Sequence, residues 1–405
     1  MSKYPLLSVV GIEIEYMLVD TNTLNISPCS DIILSALAGT VVDEITLGDI
    51  AISNELVMHV LEFKNASPQV PNAPLVKQFQ STIEQLQPIL TQHQVQLLPT
   101  GAHPWMDPYQ ETKRWPHGNR EIYKQFDKIF NCEGHGWANL QSMHVNLPYA
   151  DDAEFVKLHN TIRLILPLLP ALAASTPFID SKPTGFLDSR LTFYAANQAK
   201  IPSISGQIIP EFIDSIEHYK ESILTPMYND IRPFDDEGIL QYEWLNSRAA
   251  IPKFNHHAIE IRILDTQECV KADIAIAKAV HAILTYWINE DLQILTNPIA
   301  TERLKALYEQ TIKHGLKVTI DNDIKQQLYL PKHVHTIHDA WSYLIAQVSP
   351  NLDLDSQIAL EYILKYGNLS ERLLHACHGQ YDHNTLLKIY RDLSNCLVQN
   401  QQYAK

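Results

Sequence analysis

The strongest constraint on the fold of this chain comes from GIEIEY at residues 11–16, where acidic and apolar residues alternate. Side chains of a β-strand point alternately to opposite faces, so Glu13 and Glu15 share one face and the apolar residues between them share the other. The stretch therefore predicts a strand with one face toward a core. Its carboxylate face is either a solvated surface or part of a site.

A second acidic stretch is NELVMHVLEF, where Glu62 interrupts an apolar run before a turn and Glu55 lies seven residues earlier. An unbroken strand would put these two acids on opposite faces. A bulge, or a strand that begins after Glu55, would bring them together. Either acid could also be a solvated edge residue.

A third stretch, SMHVNLP, places Ser142, His144 and Asn146 on one face of a strand and apolar residues on the other. A row of this kind lines a cleft or meets water, and a single histidine is more often a hydrogen-bonded residue than a ligand. Its meaning depends on what lies beside it.

A fourth stretch, AIEIRILD, repeats the opening pattern with an arginine in place of one acid. Glu260, Arg262 and Leu264 are expected on one face, with isoleucines between them. An exposed acid–arginine pair would contribute little to stability. Alternatively, the acid holds a metal ion and the planar guanidinium binds a phosphate oxygen.

The segment ASTPFIDSKPTGFLDSR, residues 174–190, is punctuated by proline and glycine and predicts a loop that leads to a helix near Phe186. Lys182 and Arg190 are its cations. Such a loop either lies on the surface or closes over a ligand. Arg248, in YEWLNSR, is a further cation whose role the spacing alone leaves open.

Hydrophobic periodicity predicts an α+β fold built on a largely antiparallel sheet, followed by a mostly helical region. The predicted strands lie at about 7–19, 57–64, 95–100, 139–147 and 257–264. The predicted helices lie at about 74–92, 152–174, 270–288, 301–312, 338–348, 354–366 and 384–398. We therefore expect a catalytic domain at 1–290 and a helical C-terminal region at 291–405, packed on it or part of it.

Composition excludes several classes of protein. A net charge of −15 disfavours a protein that mainly binds nucleic acid or an anionic membrane. The five cysteines are scattered without a C-x-x-C pair, the N-terminus lacks the pattern of a signal peptide, and the longest apolar run is too short to span a bilayer. These features indicate a cytoplasmic protein.

If the four polar strand faces converge, carboxylates gather with little compensating charge. Each close pair would then repel by about 2 kcal/mol at an effective dielectric near 20. A divalent cation removes this objection. Oxygen ligands with a single histidine favour Mg²⁺ or Mn²⁺ over zinc.

The order of these motifs resembles that of glutamate–cysteine ligases and related carboxylate–amine ligases. The segment TPFIDSKPTGFLDSR is the most specific piece, and the resemblance covers about residues 10–290. It implies a glutamine-synthetase-like fold whose funnel-shaped sheet holds ATP and Mg²⁺. Asn146 stands where many carboxylate–amine ligases have a second histidine, which makes HVN more similar to glutamate–cysteine ligases.

The resemblance also implies roles for individual residues. Those implied as metal ligands are Glu13, Glu15, Glu62, His144, Glu260 and, less directly, Glu55. Arg262, with Glu260 the expected catalytic pair, would contact the transferring phosphoryl group. Arg190 and Arg248 would bind phosphate or a substrate carboxylate, and Lys182 would contribute to the nucleotide site.

The implied activity joins the γ-carboxylate of L-glutamate to the amine of L-cysteine, or another small amine, through an acyl phosphate made from ATP. Glutathione biosynthesis is the implied context. Two alternatives stay open: a metal-dependent hydrolase that uses the same carboxylate and histidine cluster, and a non-catalytic relative that binds metal or nucleotide. The acceptor amine, the oligomeric state and regulation are open.

Overall fold

The structure, a computed structural model, describes residues 3–290 and 298–404. Its strands are β1 (Gly11–Asp20), β2 (Glu44–Leu47), β3 (Ile50–Asn54), β4 (Val60–Asn65), β5 (Val95–Leu98), β6 (Ser142–Pro148), β7 (Phe178–Ile179), β8 (Lys182–Pro183), β9 (Ala250–Lys253) and β10 (Ala258–Asp265). Its helices are α1 (Ser30–Ala38), α2 (Leu75–Gln92), α3 (Pro108–Glu111), α4 (Arg120–Phe130), α5 (His135–Ala138), α6 (Asp152–Ile165), α7 (Pro170–Ala173), α8 (Ser189–Ala196), α9 (Ile216–Tyr219), α10 (Thr225–Ile231), α11 (Val270–Asn289), α12 (Thr301–His314), α13 (Asn322–Gln327), α14 (Ile337–Val348), α15 (Leu354–Tyr366), α16 (Leu369–Ala376) and α17 (His383–Gln399).

The main sheet has the strand order β2-β3-β4-β1-β6-β10-β9, and β5 pairs with the second half of β1. All strand pairs of this sheet are antiparallel. Strand β1 therefore lies at the centre, between β4 on one side and β6 followed by β5 on the other. The predicted α+β class with a largely antiparallel sheet is confirmed.

One face of the sheet forms the main core. Ile12, Ile14 and Tyr16 of β1 are buried there, and the ring of Tyr16 meets Phe63 edge-on at 5.4 Å between ring centroids. Helix α11 packs against α2, α6, α14 and α15. The predicted alternation in GIEIEY is thus correct, because its apolar side faces this core.

The opposite face changes character along β1. Glu13 and Glu15 lie on it first, and Met17 and Val19 follow on the same face. Met17 and Val19 are fully buried in a second apolar cluster with residues of α16 and α17. The C-terminal helices therefore cover one half of this face and leave the carboxylate half to the candidate site.

The helix predicted at 152–174 is wrong in its second half. Helix α6 ends at Ile165, a 3₁₀ turn follows at Leu166–Leu168, and α7 is a separate short helix. Pro167 and Pro170 lack the N–H that a continuous helix needs. The helix expected near Phe186 begins at Ser189.

Sequence patterns missed several short elements, including the hairpin of β2 and β3, strand β9 and helix α4. The predicted helices from α11 onward match α11, α12, α14, α15 and α17 within two residues at each end, whereas α13 and α16 were not predicted. The division of the chain at residue 290 remains a prediction. No helix among residues 3–290 and 298–404 is long and apolar enough to cross a membrane.

Residues near the C-terminus hold the turn that follows β10. Glu268 is fully buried, and its Oε1 accepts hydrogen bonds from Arg372 Nη1 at 2.6 Å and from the Tyr403 backbone N–H at 3.2 Å. Arg372 Nη1 also donates to the carbonyl of Tyr403 at 2.8 Å. This clamp of Glu268, Arg372 and Tyr403 fixes the end of the strand that carries Glu260 and Arg262.

Candidate active site

The two acids of β1 face partners on both neighbouring strands. Glu13 lies opposite His144 of β6 and Lys64 of β4, and Glu15 lies opposite Glu62 of β4. Residues directly opposite each other in an antiparallel pair have their side chains on the same face. The register of three strands therefore gathers acids, a histidine and a lysine on one surface.

Two groups of ligand-type side chains result. The first is Glu13, His144 and Glu260, and the second is Glu15, Glu62 and His144. Within each group, one ligand atom per residue lies within 4.8 Å of the others. His144 belongs to both groups, so the predicted ligands other than Glu55 form one continuous cluster.

Hydrogen bonds orient the members of this cluster. His144 Nδ1 lies 3.1 Å from Glu13 Oε2, and its Nε2 lies 2.8 Å from Ser142 Oγ. The backbone N–H of Ser142 donates to Glu15 Oε2 at 2.7 Å, and Asn146 Nδ2 donates to Glu13 Oε1 at 3.0 Å. The polar row of β6 thus orients the two acids of β1.

Two lysines supply the positive charge of the cluster. Lys253 Nζ contacts Glu13 Oε1 at 3.2 Å and forms an ion pair with Glu260. Lys64 Nζ donates to Glu62 Oε1 at 2.9 Å and pairs with Glu44 at 3.0 Å. Each ligand group therefore has one ammonium group against its carboxylates.

The pKa values of the cluster follow from burial and these contacts. Burial raises the pKa of Glu13, but the His144 hydrogen bond and Lys253 outweigh it, and the net pKa lies well below its usual range. Burial and the charge of Glu13 raise the pKa of Glu62. Burial lowers the pKa of His144, but its hydrogen bond to Glu13 and the charge of Glu260 give a net increase.

Strand β10 contains a bulge that changes which residues face the site. Ile261 lies opposite Val145, but Leu264 lies opposite Met143, so three residues of β10 span two of β6. Leu264 is therefore buried in the main core. The expectation that Leu264 shares the face of Glu260 and Arg262 is wrong, and Asp265 comes to that face instead.

The two arginines of this region are anchored by different acids. Arg262 Nε lies 2.9 Å from Glu260 Oε1, and the Arg262 side chain keeps 26% of its exposure. Arg190 Nε donates to Asp265 Oδ1 at 2.5 Å, and its side chain is 2% exposed. Both arginines line the same cavity.

Two of the predicted cations lie elsewhere. Arg248 is buried and forms a bidentate ion pair with Glu211, from Nε to Oε2 at 2.6 Å and from Nη2 to Oε1 at 2.8 Å. Its Nη1 also donates to main-chain carbonyls. Lys182 is exposed on the β7–β8 hairpin. The structure therefore brings neither cation to the carboxylate cluster, and their roles at a nucleotide or substrate stay predictions.

Glu55 lies just beyond the end of β3, in the connection to β4, and lines the same cavity as Glu15. Burial, followed by the charges of Glu62 and Glu15, raises its pKa well above the usual value. A strand that begins after Glu55, one of the two possibilities raised from the sequence, accounts for its approach to Glu62.

Two cavities flank the cluster. One of about 630 Å³ is lined by Glu13, Lys64, Lys253 and neighbouring backbone of β1 and β4. The other, about 320 Å³, is lined by Arg190, Arg262 and aromatic side chains, together with the Glu15 side of the cluster. The carboxylates therefore lie between a lysine-lined space and an arginine-lined space.

The residues fit a pair of divalent cations. Four carboxylates and one imidazole supply mainly hard oxygen donors, which suit Mg²⁺ or Mn²⁺. The buried Glu260 is paired through Oε2 with Lys253, a partly exposed cation whose place a metal ion can take. The acids are also held in pairs that repel each other, which a bound cation would relieve.

The sequence patterns did not predict three residues of the site: Lys64, Lys253 and Asp265. Lys64 lies two residues after Glu62, so alternation already places it on the same face. Asp265 ends the motif that contains Glu260, and only the bulge brings it to the site. Lys253 gave no local signal, because its position depends on the pairing of β9 with β10.

Comparison with known proteins gives a consistent result. The model of the family described as glutamate–cysteine ligase family 2 (GCS2) matches residues 9–384. A protein of Archaeoglobus fulgidus named "Uncharacterized protein" is 31% identical over 395 residues, covering 98% of this chain and all of that one. A protein of Bdellovibrio bacteriovorus named "Putative glutamate--cysteine ligase 2" is 23% identical over 320 residues, covering 78% and 76%.

Solved structures show the same fold. A glutamate–cysteine ligase of Francisella tularensis, in complex with AMP, aligns with a TM-score of 0.61 and 12% identity, over 100% of this chain and 91% of that one. A bifunctional glutathione synthetase of Pasteurella multocida aligns with a TM-score of 0.51 and 12% identity, over 96% and 53%.

Proposed function

The chain belongs to the glutamate–cysteine ligase family 2 and is a ligase, and from this premise we propose that it forms an amide between the γ-carboxylate of L-glutamate and a primary amine at the expense of ATP. L-Cysteine is the first acceptor to test, because relatives carry the name glutamate–cysteine ligase. The observation that carries the proposal is the carboxylate and histidine cluster between the two cavities.

The larger cavity suits the nucleotide. Its volume of about 630 Å³ is twice that of the other, and Lys64 and Lys253 line it beside Glu13. Ammonium groups are common partners of phosphate oxygens. The relative of this fold in complex with AMP supports a nucleotide site. In this arrangement the phosphates approach the cluster from the lysine side.

Mg²⁺ would be held by the two ligand groups and would neutralise phosphate charge and orient the phosphates. This chain's own residues do the rest. Arg262, held by Glu260 at 2.9 Å, is positioned to stabilise negative charge on the transferring phosphoryl group. Arg190 is fixed through Nε to Asp265, and its Nη1 and Nη2 donate to the Arg262 carbonyl at 3.5 and 3.4 Å. It lines the smaller cavity and adds positive charge where a substrate carboxylate can bind.

The reaction then needs no covalent enzyme intermediate. The γ-carboxylate attacks the terminal phosphorus of ATP and gives an acyl phosphate and ADP. The amine attacks the acyl carbon, the bond to the phosphate oxygen breaks, and inorganic phosphate leaves. Catalysis comes chiefly from positioning and charge stabilisation.

The test is ATP turnover with Mg²⁺ and L-glutamate, with and without L-cysteine, followed by mass spectrometry. Amine-dependent release of ADP with a γ-glutamyl product supports the proposal. Glutamate-dependent turnover that gives a different amide keeps the ligase and changes the acceptor. Metal-dependent hydrolysis without ATP, together with no nucleotide turnover, would instead support a hydrolase, and this outcome would contradict the proposal.

A further inference from the structure

The smaller cavity has an apolar side whose use the proposed function leaves open. Four aromatic residues, here called the aromatic wall, line it: Tyr123, Phe126, Trp137 and Trp244. Tyr123 and Phe126 lie one turn apart on α4, Trp137 lies on α5, and Trp244 lies in the 3₁₀ turn Glu243–Leu245. Three separate elements therefore contribute to one surface.

The wall is a packed unit. Phe126 lies 5.4 Å from Trp137 and 5.9 Å from Trp244 between ring centroids. Tyr242 stacks on Trp244 at 5.8 Å. Trp244 nevertheless remains 36% exposed. A supported aromatic surface that lines a cavity is a common feature of ligand sites.

The charged side of the cavity has a different task. Arg190 and Arg262 face the carboxylates Glu15 and Glu55 there, and this side suits glutamate and the transferring phosphoryl group. The volume of about 320 Å³ is at the low end for small-molecule sites, with room for two amino-acid-sized groups. The aromatic wall is therefore free to receive the second substrate.

We propose that the acceptor is an amino acid with an aromatic or large aliphatic side chain, which packs against the aromatic wall. This inference rests on the proposed function and names its acceptor class. The neutral amine forms a C–N bond to the acyl carbon as the C–O bond to phosphate breaks, and its proton leaves on the phosphate. Burial of the side chain favours such acceptors over L-alanine by on the order of tenfold to a hundredfold.

The experiment measures ADP release by the full chain with Mg²⁺, ATP, L-glutamate and one of four acceptors: L-phenylalanine, L-leucine, L-cysteine or L-alanine. Mass spectrometry identifies each product. We expect kcat/KM for L-phenylalanine or L-leucine to exceed the values for L-alanine and L-cysteine by at least about tenfold. Equal or higher values for the two small acceptors would overturn the acceptor class and leave the ligase proposal intact. Absence of ADP release with every amine would overturn both.

A variant locates the effect. Trp244→Ala should raise KM for L-phenylalanine about tenfold and leave KM for L-alanine and ATP unchanged, and Trp244→Phe should retain most of the preference. Tyr366→Ala removes an exposed aromatic residue at the end of α15 and serves as control. An increase in KM for ATP alone would mean that the wall holds adenine, and this result would overturn the inference.

Discussion

The two ends of strand β10 each carry a buried carboxylate beside an arginine, but the protein surrounds these carboxylates differently. Asp265 accepts hydrogen bonds from the Ser175 backbone N–H at 2.8 Å, from Thr176 Oγ1 at 2.9 Å and from Arg190. Glu260, near the other end of β10, forms ion pairs with Lys253 and Arg262.

The partners also differ in freedom. The side chain of Arg190 is 2% exposed, whereas those of Lys253 and Arg262 keep 31% and 26% of their exposure. The fold therefore satisfies Asp265 completely with fixed donors. Glu260 is instead paired with Lys253 and Arg262, two partly exposed cations that a ligand can replace. We therefore regard Asp265 as a structural carboxylate and Glu260 as the carboxylate that takes part in the proposed reaction.

Glu260→Gln should have the largest effect on turnover. Loss of the charge removes both a ligand and the anchor of Arg262, so we expect kcat to fall at least about a thousandfold. The melting temperature should change little, because the partners of Glu260 are partly exposed. Steady-state ADP release and thermal unfolding measure the two quantities. The control is Glu361→Gln, at an exposed position on α15.

Asp265→Asn should instead reduce stability. It leaves the buried charge of Arg190 without its partner, which costs about 3–5 kcal/mol of the free energy of unfolding. Urea denaturation at pH 7 gives this value. Asp323→Asn breaks the exposed ion pair with Arg303 and should cost less than about 1 kcal/mol. Similar losses of unfolding free energy in Asp265→Asn and Asp323→Asn would mean that Asp265 is not a structural carboxylate, and the two ends of β10 would then not differ.

A buried group with fixed partners also makes the stability of the fold depend on pH. His103 is fully buried, its Nε2 lies 2.7 Å from the Leu24 carbonyl, and burial lowers its pKa to about 3. Below about pH 6.5, His103 is protonated in the unfolded chain but stays neutral in the folded chain. Its contribution to the free energy of unfolding is therefore fully present above about pH 6.5 and declines as the pH falls toward 3. From pH 7 to pH 5 this one group should cost about 2 kcal/mol.

His103→Gln should reduce that pH-dependent loss, as measured by urea denaturation at pH 7 and pH 5. The comparison is of slopes, so a uniform loss of stability in the variant does not affect it. His333→Gln, at an exposed position before α14, is the control. An unchanged slope would mean that His103 becomes protonated in the folded protein.

Lys253→Met tests whether the cations at Glu260 are replaceable. The ammonium group competes with a metal ion for Glu13 and Glu260, so its removal should strengthen Mg²⁺ binding about tenfold, equivalent to about 1.4 kcal/mol. Titration calorimetry of the metal-free protein measures this affinity. Lys305→Met, which breaks a helical ion pair on the surface, should leave it unchanged. Weaker Mg²⁺ binding in Lys253→Met would show that Lys253 supports the ligand group.

Lys182→Ala should have the smallest effect. The side chain is exposed on the β7–β8 hairpin. We expect kcat/KM within about twofold of the wild type and stability within about 0.5 kcal/mol. A tenfold loss of activity would mean that the hairpin reaches the nucleotide during turnover.

The sequence predicted the parts of the site that follow from local alternation. Glu13 and Glu15 lie on one face as expected, and the apolar residues between them are buried. The bulge in β10 was missed because strict alternation was assumed through EIRILD, although Leu264 and Asp265 break that alternation; only the register with β6 locates the extra residue. Lys253 was missed for the same reason, since its place depends on long-range pairing. Local patterns give the face of a residue, and strand register gives its partners.

The clamp on Glu268 has a consequence for the order in which the molecule is made. Tyr403, whose N–H binds Glu268, is synthesised 135 residues later. At about 5–20 residues per second, this gap corresponds to about 7–27 s on the ribosome. For the first 104 residues of that interval the turn after β10 lacks Arg372, its buried counter-charge, and Met17 and Val19 lack the C-terminal helices that cover them. The nascent chain therefore exposes an apolar surface of the sheet before the contacts of Glu268 stabilise the end of β10. Chaperones can bind that surface during this interval.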